Sequence, residues 1–199
     1  MGGDSCGDTI VRATIETNEG LYDFDETILP VHSEGATRNA SPGTGLATIF
    51  LDPTAQTLQV NATFSGLTSP DTAAHIHCCA PIGMNAGVAT RVPAFLGFPL
   101  GGTSGTYSSP IFDLTLLSFY NQAFVDLQVG PDPATKLAQA EAALIAGILG
   151  GQTYFNIHTG TFPGGEIRGQ LAPVPLPGSL VLFGSVLLGF RLFRQKLGF

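Results

Sequence analysis

The stretch QTYFNIHTGTFPGGEIRGQL, residues 152–171, carries the clearest structural pattern of the sequence. Residues 152–159 and 166–171 alternate polar and apolar side chains with a period of two, as β-strands with one buried face do. The residues between them are rich in glycine and include a proline, which is typical of a tight connection. The stretch therefore predicts a β-hairpin.

Similar short runs occur elsewhere in the chain, at residues 10–16, 45–52, 57–64, 72–78 and 105–114. Two of these runs are separated only by the turn-like residues 53–56, which predicts a second hairpin. Several short strands at this spacing are typical of an all-β fold. We expect an immunoglobulin-like or Greek-key sandwich or barrel.

One segment has helical periodicity instead. Residues 133–149 begin with proline, are followed by glycine, and place Leu137, Ala140, Leu144 and Ile148 on one side. The pattern predicts a helical insertion near 133–149 in the β domain. A shorter helical turn is predicted near residues 118–127.

Charge and composition exclude one class of function. The chain of 199 residues has 26 Gly and 14 Pro, only 12% charged residues and a net charge of −7. A nucleic-acid-binding protein needs a basic face to neutralise phosphates, and the few basic residues are not clustered before the final segment. We therefore expect no nucleic-acid partner.

The three cysteines are Cys6, Cys78 and Cys79, an odd number that gives no closed disulfide framework. Neighbouring Cα atoms lie about 3.8 Å apart, closer than the roughly 4.4–6.8 Å of a relaxed disulfide. We expect no bond between Cys78 and Cys79, while pairing of either one with Cys6 stays open.

Histidines are the candidate metal ligands. Strand alternation puts His75 and His77 on one face, and places Ile76 and Cys78 on the other. His158 shares a face with Asn156, opposite Phe155 and Ile157, which with Ile76 are the expected core residues. If the two strands are neighbours, three imidazoles meet, enough for Cu or Zn with one further ligand or water. The alternative is that the histidines only hydrogen-bond neighbouring strands or loops.

Two charged residues near the end of the hairpin suggest an ion pair. Glu166 and Arg168 are two positions apart on one strand, so we expect a pair on the sheet surface that fixes the hairpin register. The alternative places Glu166 near His158, where it would orient the ring or form an acid–base pair.

The C-terminal segment has three parts: a proline motif, an uncharged apolar run over residues 178–190, and a basic tail. The motif and the tail are Val174, Pro175, Leu176 and Pro177, then Arg191, Arg194 and Lys196. This layout resembles the PEP-CTERM sorting signal of Gram-negative bacteria, although Leu176 stands where that motif has Glu. The resemblance implies a short transmembrane helix, transient anchoring with the basic tail in the cytoplasm, cleavage by an exosortase, and release to an exopolysaccharide-associated surface.

The N-terminal residues show no matching export signal. Residues 1–20 contain neither a basic region nor an apolar run of the required length. Either the true start lies upstream, which we expect, or the prediction of export is wrong. The predicted divisions are an N-terminal segment 1–24, which includes a possible first strand, a β domain 25–172, and a sorting region 173–199.

Several motifs identify the β domain by resemblance. The segments FSGL (64–67), TAAHIH (72–77), YFNIHT (154–159) and FPGGEIRGQL (162–171) together resemble the CHRD domain. NASPGTG (39–45) is similar to its early motif. The resemblance covers residues 25–172 and implies an all-β fold in an extracellular setting, with no established biochemical activity.

The His-x-His strand is also similar to the copper-ligand strand of Cu,Zn superoxide dismutase. No bridging histidine or zinc subloop can be matched, and the chain has only 4 histidines, so dismutase activity is not carried over.

From the sequence we expect an exported protein of the cell surface or extracellular matrix with a non-enzymatic binding or structural role. Its expected partners are an exosortase-type protease, the membrane, and extracellular polysaccharide or other surface proteins. The alternative is a Cu- or Zn-binding or redox protein that uses His75, His77 and His158.

Overall fold

The computed structural model describes residues 9–17 and 39–173. The strands in this part of the chain are β1 (Thr9–Thr17), β2 (Thr44–Asp52), β3 (Thr57–Ser65), β4 (Asp71–Cys78), β5 (Gly87–Val88), β6 (Gly105–Ser108), β7 (Phe112–Asp113), β8 (Thr153–Thr159) and β9 (Ile167–Pro173). The helices are α1 (Gln122–Asp126) and α2 (Pro133–Leu149), and a 3₁₀ turn spans Leu117–Phe119.

The strands form two antiparallel sheets that share β9. Their order is β5-β4-β8-β9-β1-β2-β3-β6, with β7 also pairing with β3. Both predicted hairpins, β2–β3 and β8–β9, are present. The prediction of a mostly β fold with few helices is confirmed. Its finer form, an immunoglobulin-like or Greek-key sandwich or barrel, stays a prediction.

The strand predicted at 105–114 is divided in two, because its middle residues cannot continue the ladder. Pro110 lacks a backbone N–H. The preceding Ser109 forms two hydrogen bonds with Val60. Its N–H donates to the Val60 carbonyl, and its Oγ accepts from the Val60 N–H at 2.8 Å. Pairing with β3 then resumes as β7.

Helix α2 lies where the sequence predicts it and packs against β8 and β9. Its first turn is capped by Asp132, whose side chain accepts a hydrogen bond from the Thr135 N–H at 2.8 Å. Ala140, Leu144 and Ile148 are fully buried, as their helical spacing predicts.

The core lies on one face of β4 and β8, and the histidines lie on the other. Ile76, Phe155 and Ile157 are fully buried, which confirms the expected core residues. Phe95 stacks on Phe155 with ring centroids 6.0 Å apart. Because side chains alternate along a strand, the polar residues between these core positions point to the opposite face of the sheet.

No helix among the described residues is long and apolar enough to cross a membrane. The transmembrane helix predicted over residues 178–190 lies outside the described part of the chain.

Candidate metal centre

Strands β4 and β8 lie side by side and bring the three candidate histidines together. Their antiparallel register sets His75 opposite Asn156, and His77 opposite Tyr154. His158 is two residues beyond Asn156, so it lies on the same face of the sheet. One ring nitrogen from each histidine lies within 4.8 Å of the other two. The sequence predicted that the three histidines would meet if their two strands were neighbours. The strands are neighbours, and the histidines do meet.

Each imidazole is oriented by a backbone carbonyl. The pairs, measured from Nδ1 to oxygen, are His75 with Pro93 at 3.0 Å, His77 with Ala86 at 2.9 Å and His158 with Pro163 at 2.9 Å. A carbonyl oxygen only accepts hydrogen bonds, so Nδ1 carries the proton in all three neutral rings. The Nε2 atoms keep their lone pairs. Metal-binding histidines show this same arrangement, in which the second ring nitrogen donates to a fixed acceptor.

The spacing of the ring nitrogens suits one metal ion. Nε2 of His77 and Nε2 of His158 are 3.5 Å apart, close to the roughly 3.3 Å between two nitrogens bonded to a tetrahedral Zn²⁺. Atoms within 4.8 Å of one another share a point no more than about 2.8 Å from each. To form metal–nitrogen bonds of about 2.0–2.1 Å, each ring nitrogen therefore has to move toward that point by about 0.7 Å at most.

A tyrosine supports the second histidine of β4. The Tyr154 ring stacks on His77 with centroids 4.6 Å apart and planes 9° from parallel. Its hydroxyl accepts from the Ala86 N–H at 3.1 Å and lies 3.3 Å from the Ala86 carbonyl. Tyr154 thus contacts both the ring and the backbone group that orients it. Sequence reasoning missed this residue, although alternation from Asn156 places it on the histidine face.

Burial keeps the rings neutral. The exposed fractions are 4% for His75, 7% for His77 and 8% for His158. Burial, together with the charges of neighbouring histidines, lowers the pKa of His75 to about 4. Burial likewise lowers the pKa of His77 to about 4, with smaller contributions from His158 and Arg168, and burial lowers the pKa of His158. Neutral imidazole is the form that binds metal, so all three rings can bind it at neutral pH.

Asn156 lies between the histidines and the loop that follows β8. Its Nδ2 is 3.5 Å from His77 Nε2, and its Oδ1 is buried without a hydrogen bond to any described residue. Gly165 has a φ of +120°, and a Cβ at this position would come within 2.5 Å of the Asn156 amide. Glycine therefore lets this loop, which supplies the Pro163 carbonyl to His158, approach the site.

A family model for the CHRD domain matches residues 29–171, well over half of the chain. The chain belongs to the CHRD domain family. The match confirms the sequence-based resemblance to this family and includes all three histidines. Comparisons with curated proteins and with solved structures give no match.

The adjacent cysteines of this CHRD domain are bonded to each other, so the prediction that they are not was wrong. The prediction assumed a trans peptide, whereas the Cys78–Cys79 peptide bond is cis and the two Cα atoms lie 3.0 Å apart. Cys6 lies outside the described residues. Cys78 faces away from the histidines as predicted, with its Sγ 3.8 Å from the Ala143 carbonyl of α2. Neither sulfur therefore serves as a fourth ligand to the histidine cluster.

The surface ion pair predicted between Glu166 and Arg168 was also wrong. Glu166 is fully buried, and its carboxylate accepts hydrogen bonds from the Ser41 hydroxyl, the Thr159 hydroxyl, and both the N–H and the hydroxyl of Thr68. Arg168 donates instead to Asn85 Oδ1 at 2.9 Å. Glu166 does not orient His158 either, since the Pro163 carbonyl does so. The buried Glu166 carboxylate therefore links the segments that contain Ser41, Thr68 and Thr159.

The predicted sorting residues lie outside the described part of the chain. They are Val174, Pro175, Leu176 and Pro177 of the proline motif, and Arg191, Arg194 and Lys196 of the basic tail.

Proposed function

We propose that this CHRD domain binds one Cu or Zn ion through His75, His77 and His158. One observation carries the proposal: all three rings bond a carbonyl through Nδ1, while ring nitrogens of the three lie within 4.8 Å of one another. Three histidines that merely satisfied their own hydrogen bonds would have no reason to bring ring nitrogens within 4.8 Å of one another. His75 Nε2 is buried and bonds no described residue, which is costly unless a ligand binds it.

The donor set favours these metals. Imidazole suits Cu and Zn, and three histidines leave a position for water or another ligand. The proposed role is binding and not catalysis.

Metal analysis of the full chain tests the proposal. After chelation and reloading with Cu²⁺ or Zn²⁺, the wild-type chain should hold one ion, and His75→Ala and His158→Ala should each reduce this to well below one. Gln152→Ala, an exposed position just before β8, is the matched control and should bind as wild type. A wild-type chain that holds no metal, or histidine variants that hold it fully, would sink the proposal.

We also propose that the domain is exported, anchored transiently through its C-terminal tail, cleaved by an exosortase-type protease, and released to the cell surface or matrix. There it would contact extracellular polysaccharide or other surface proteins. The tripartite tail and the extracellular setting that the CHRD family suggests support this. A tagged chain expressed with its native start should reach the surface in a shortened form. Retention in the cytoplasm with an intact tail would contradict the proposal.

A further inference from the structure

The carboxamide of Asn156 lies beside the candidate metal-binding nitrogens. Strand pairing sets Asn156 directly opposite His75 and two residues before His158 on β8, so all three side chains project from one face of the sheet. Its Nδ2 is 3.5 Å from Nε2 of His77, the same distance that separates Nε2 of His77 from Nε2 of His158. Asn156 is only 2% exposed. The amide is therefore a buried part of the same site.

Hydrogen bonding determines which end of the Asn156 amide is the nitrogen. The Nδ2 atom is 3.5 Å from the Gly164 carbonyl oxygen as well as from Nε2 of His77. A carbonyl oxygen only accepts hydrogen bonds, and His77 carries its proton on Nδ1, so both neighbours require a donor and the amide nitrogen faces them. The oxygen is then the end without a donor. Oδ1 is buried and bonds no described residue.

Acceptor atoms of the three histidines and of Asn156 lie close together in this site. Nε2 of His77 and Nε2 of His158 carry lone pairs, because each ring donates to a carbonyl through Nδ1. Nε2 of His75 is in the same state and, like Asn156 Oδ1, is buried without a hydrogen bond to any described residue. A metal ion satisfies nitrogen lone pairs, whereas a buried carboxamide oxygen away from the metal requires an O–H or N–H donor. A metal ion with a bound water supplies both.

We propose that Asn156 holds a water molecule that is the fourth ligand of the histidine-bound metal, with Oδ1 accepting a hydrogen bond from that water. This rests on the metal site proposed above. The two polar atoms of one amide lie about 2.3 Å apart, so Oδ1 is within about 6 Å of His77 Nε2. Nitrogen–metal and metal–water bonds of about 2.1 Å each, followed by a hydrogen bond of about 2.8 Å, can span that distance. The species that fits is a divalent ion, Zn²⁺ or Cu²⁺, with one bound water.

Two other roles for Asn156 make different predictions. If the amide only supported the loop after β8 through the Gly164 carbonyl, removing its N–H group would weaken metal binding as much as removing the whole amide. If Oδ1 only served Arg168, which is opposite Asn156 on β9, loss of the oxygen would destabilise the metal-free protein and leave metal affinity unchanged.

Variants of Asn156 in the full chain separate these roles, with Zn²⁺ affinity measured by competition with a chromophoric chelator. Asn156→Asp keeps an oxygen acceptor but removes the N–H donor, and it should bind Zn²⁺ at least as tightly as wild type. Asn156→Leu removes the acceptor and should bind Zn²⁺ about tenfold or more weakly. Asn61→Leu is the matched control and should bind as wild type. Asn61 also has a buried Oδ1 that bonds no described residue, but it lies on β3, which pairs with neither β4 nor β8.

The Cu²⁺-loaded wild-type chain tests the water directly and does not depend on a variant that folds. Electron–nuclear double resonance spectra recorded in H₂O and in D₂O should reveal the strongly coupled, exchangeable protons of a copper-bound water.

Copper-loaded wild type without such protons, or Asn156→Leu with wild-type Zn²⁺ affinity, would overturn the inference and leave the metal site standing. Equal weakening of Zn²⁺ binding in Asn156→Asp and Asn156→Leu would also overturn it, because that is the result of loop support alone. A wild-type chain that takes up neither Zn²⁺ nor Cu²⁺ would overturn both proposals. Exchangeable protons in wild type, with Zn²⁺ affinity lost in Asn156→Leu and kept in Asn156→Asp, support both.

Discussion

His77 and His158 are 81 positions apart in the chain, yet their Nε2 atoms lie 3.5 Å apart. Neighbouring strands bring the two residues together, and carbonyls from two separate loops turn the rings toward each other. The pair defines one side of the proposed metal site, and His75 completes it.

Removing the Tyr154 hydroxyl should weaken metal binding without unfolding the domain. Tyr154→Phe keeps the ring that stacks on His77 but loses both hydroxyl contacts to the Ala86 backbone. Groups that orient metal ligands typically change affinity by about 10–100-fold, and we expect the lower end because the Ala86 carbonyl remains. Competition with a chromophoric chelator measures the change. Tyr107→Phe, whose hydroxyl bonds the distant Leu96 carbonyl, is the matched control and should leave metal affinity unchanged.

Gly165→Ala should destabilise the domain by about 2–4 kcal/mol. The new methyl group would overlap the Asn156 amide, at a φ of +120° that side chains rarely adopt. Urea unfolding measures the loss. Gly164→Ala is the control, since a Cβ there meets nothing within 4 Å. Equal stability of the two variants would contradict the close approach of this loop to the site.

The metal-free protein should lose stability between pH 7 and pH 5. Burial lowers the pKa of His75 and His77 to about 4 in the folded chain, whereas the unfolded chain titrates near 6.5. Below about pH 6.5 the unfolded state therefore binds protons that the folded state does not, at about 1.4 kcal/mol per pH unit for each ring. The contribution of these rings to the free energy of unfolding has its full value above pH 6.5 and is lost as the pH drops toward 4.

Urea unfolding in the presence of a chelator tests this pH dependence. A His75→Gln/His77→Gln double variant provides the control, because removing two of the three rings whose pKa burial lowers should make the profile clearly less steep and leave only the contribution of His158. A wild-type profile as flat as that of the double variant would show that burial does not suppress protonation of these rings.

Replacing Glu166 by glutamine should cost about 2–4 kcal/mol of unfolding free energy. The carboxylate accepts from the hydroxyls of Ser41 and Thr159 and from two donors of Thr68, and a glutamine amide would present N–H groups to some of these donors. Thermal and urea unfolding measure the loss. Thr161→Ala, which removes an exposed bond to Ser69, should change stability by less than about 0.5 kcal/mol. A Glu166→Gln variant as stable as Thr161→Ala would contradict this role.

The periodicity of polar and apolar residues predicted many strands, the main helix and the core residues, because these features depend only on the local sequence. Alternation placed Ile157 in the core and His158 on the opposite face, and helical spacing placed Leu144 in the core. Both hairpins followed from turn composition between alternating runs. These features require only that one side of a strand or helix is buried.

The features that the sequence did not predict depend on loops and on distant partners. Backbone carbonyls carry no sequence signature, so no pattern reveals that Pro93 or Pro163 orients a histidine. Glu166 was expected to pair with Arg168 because the two are close in sequence, but hydroxyls from three other segments surround it in space. The Cys78–Cys79 bond was excluded by assuming a trans peptide.

Anomalous diffraction from crystals of the Cu²⁺- or Zn²⁺-loaded full chain tests the central claim most directly. We predict one strong metal peak, about 2.0–2.2 Å from a ring nitrogen of each of His75, His77 and His158. A crystal in which these three rings bind no metal under saturating conditions, or in which the metal binds elsewhere, would contradict the account.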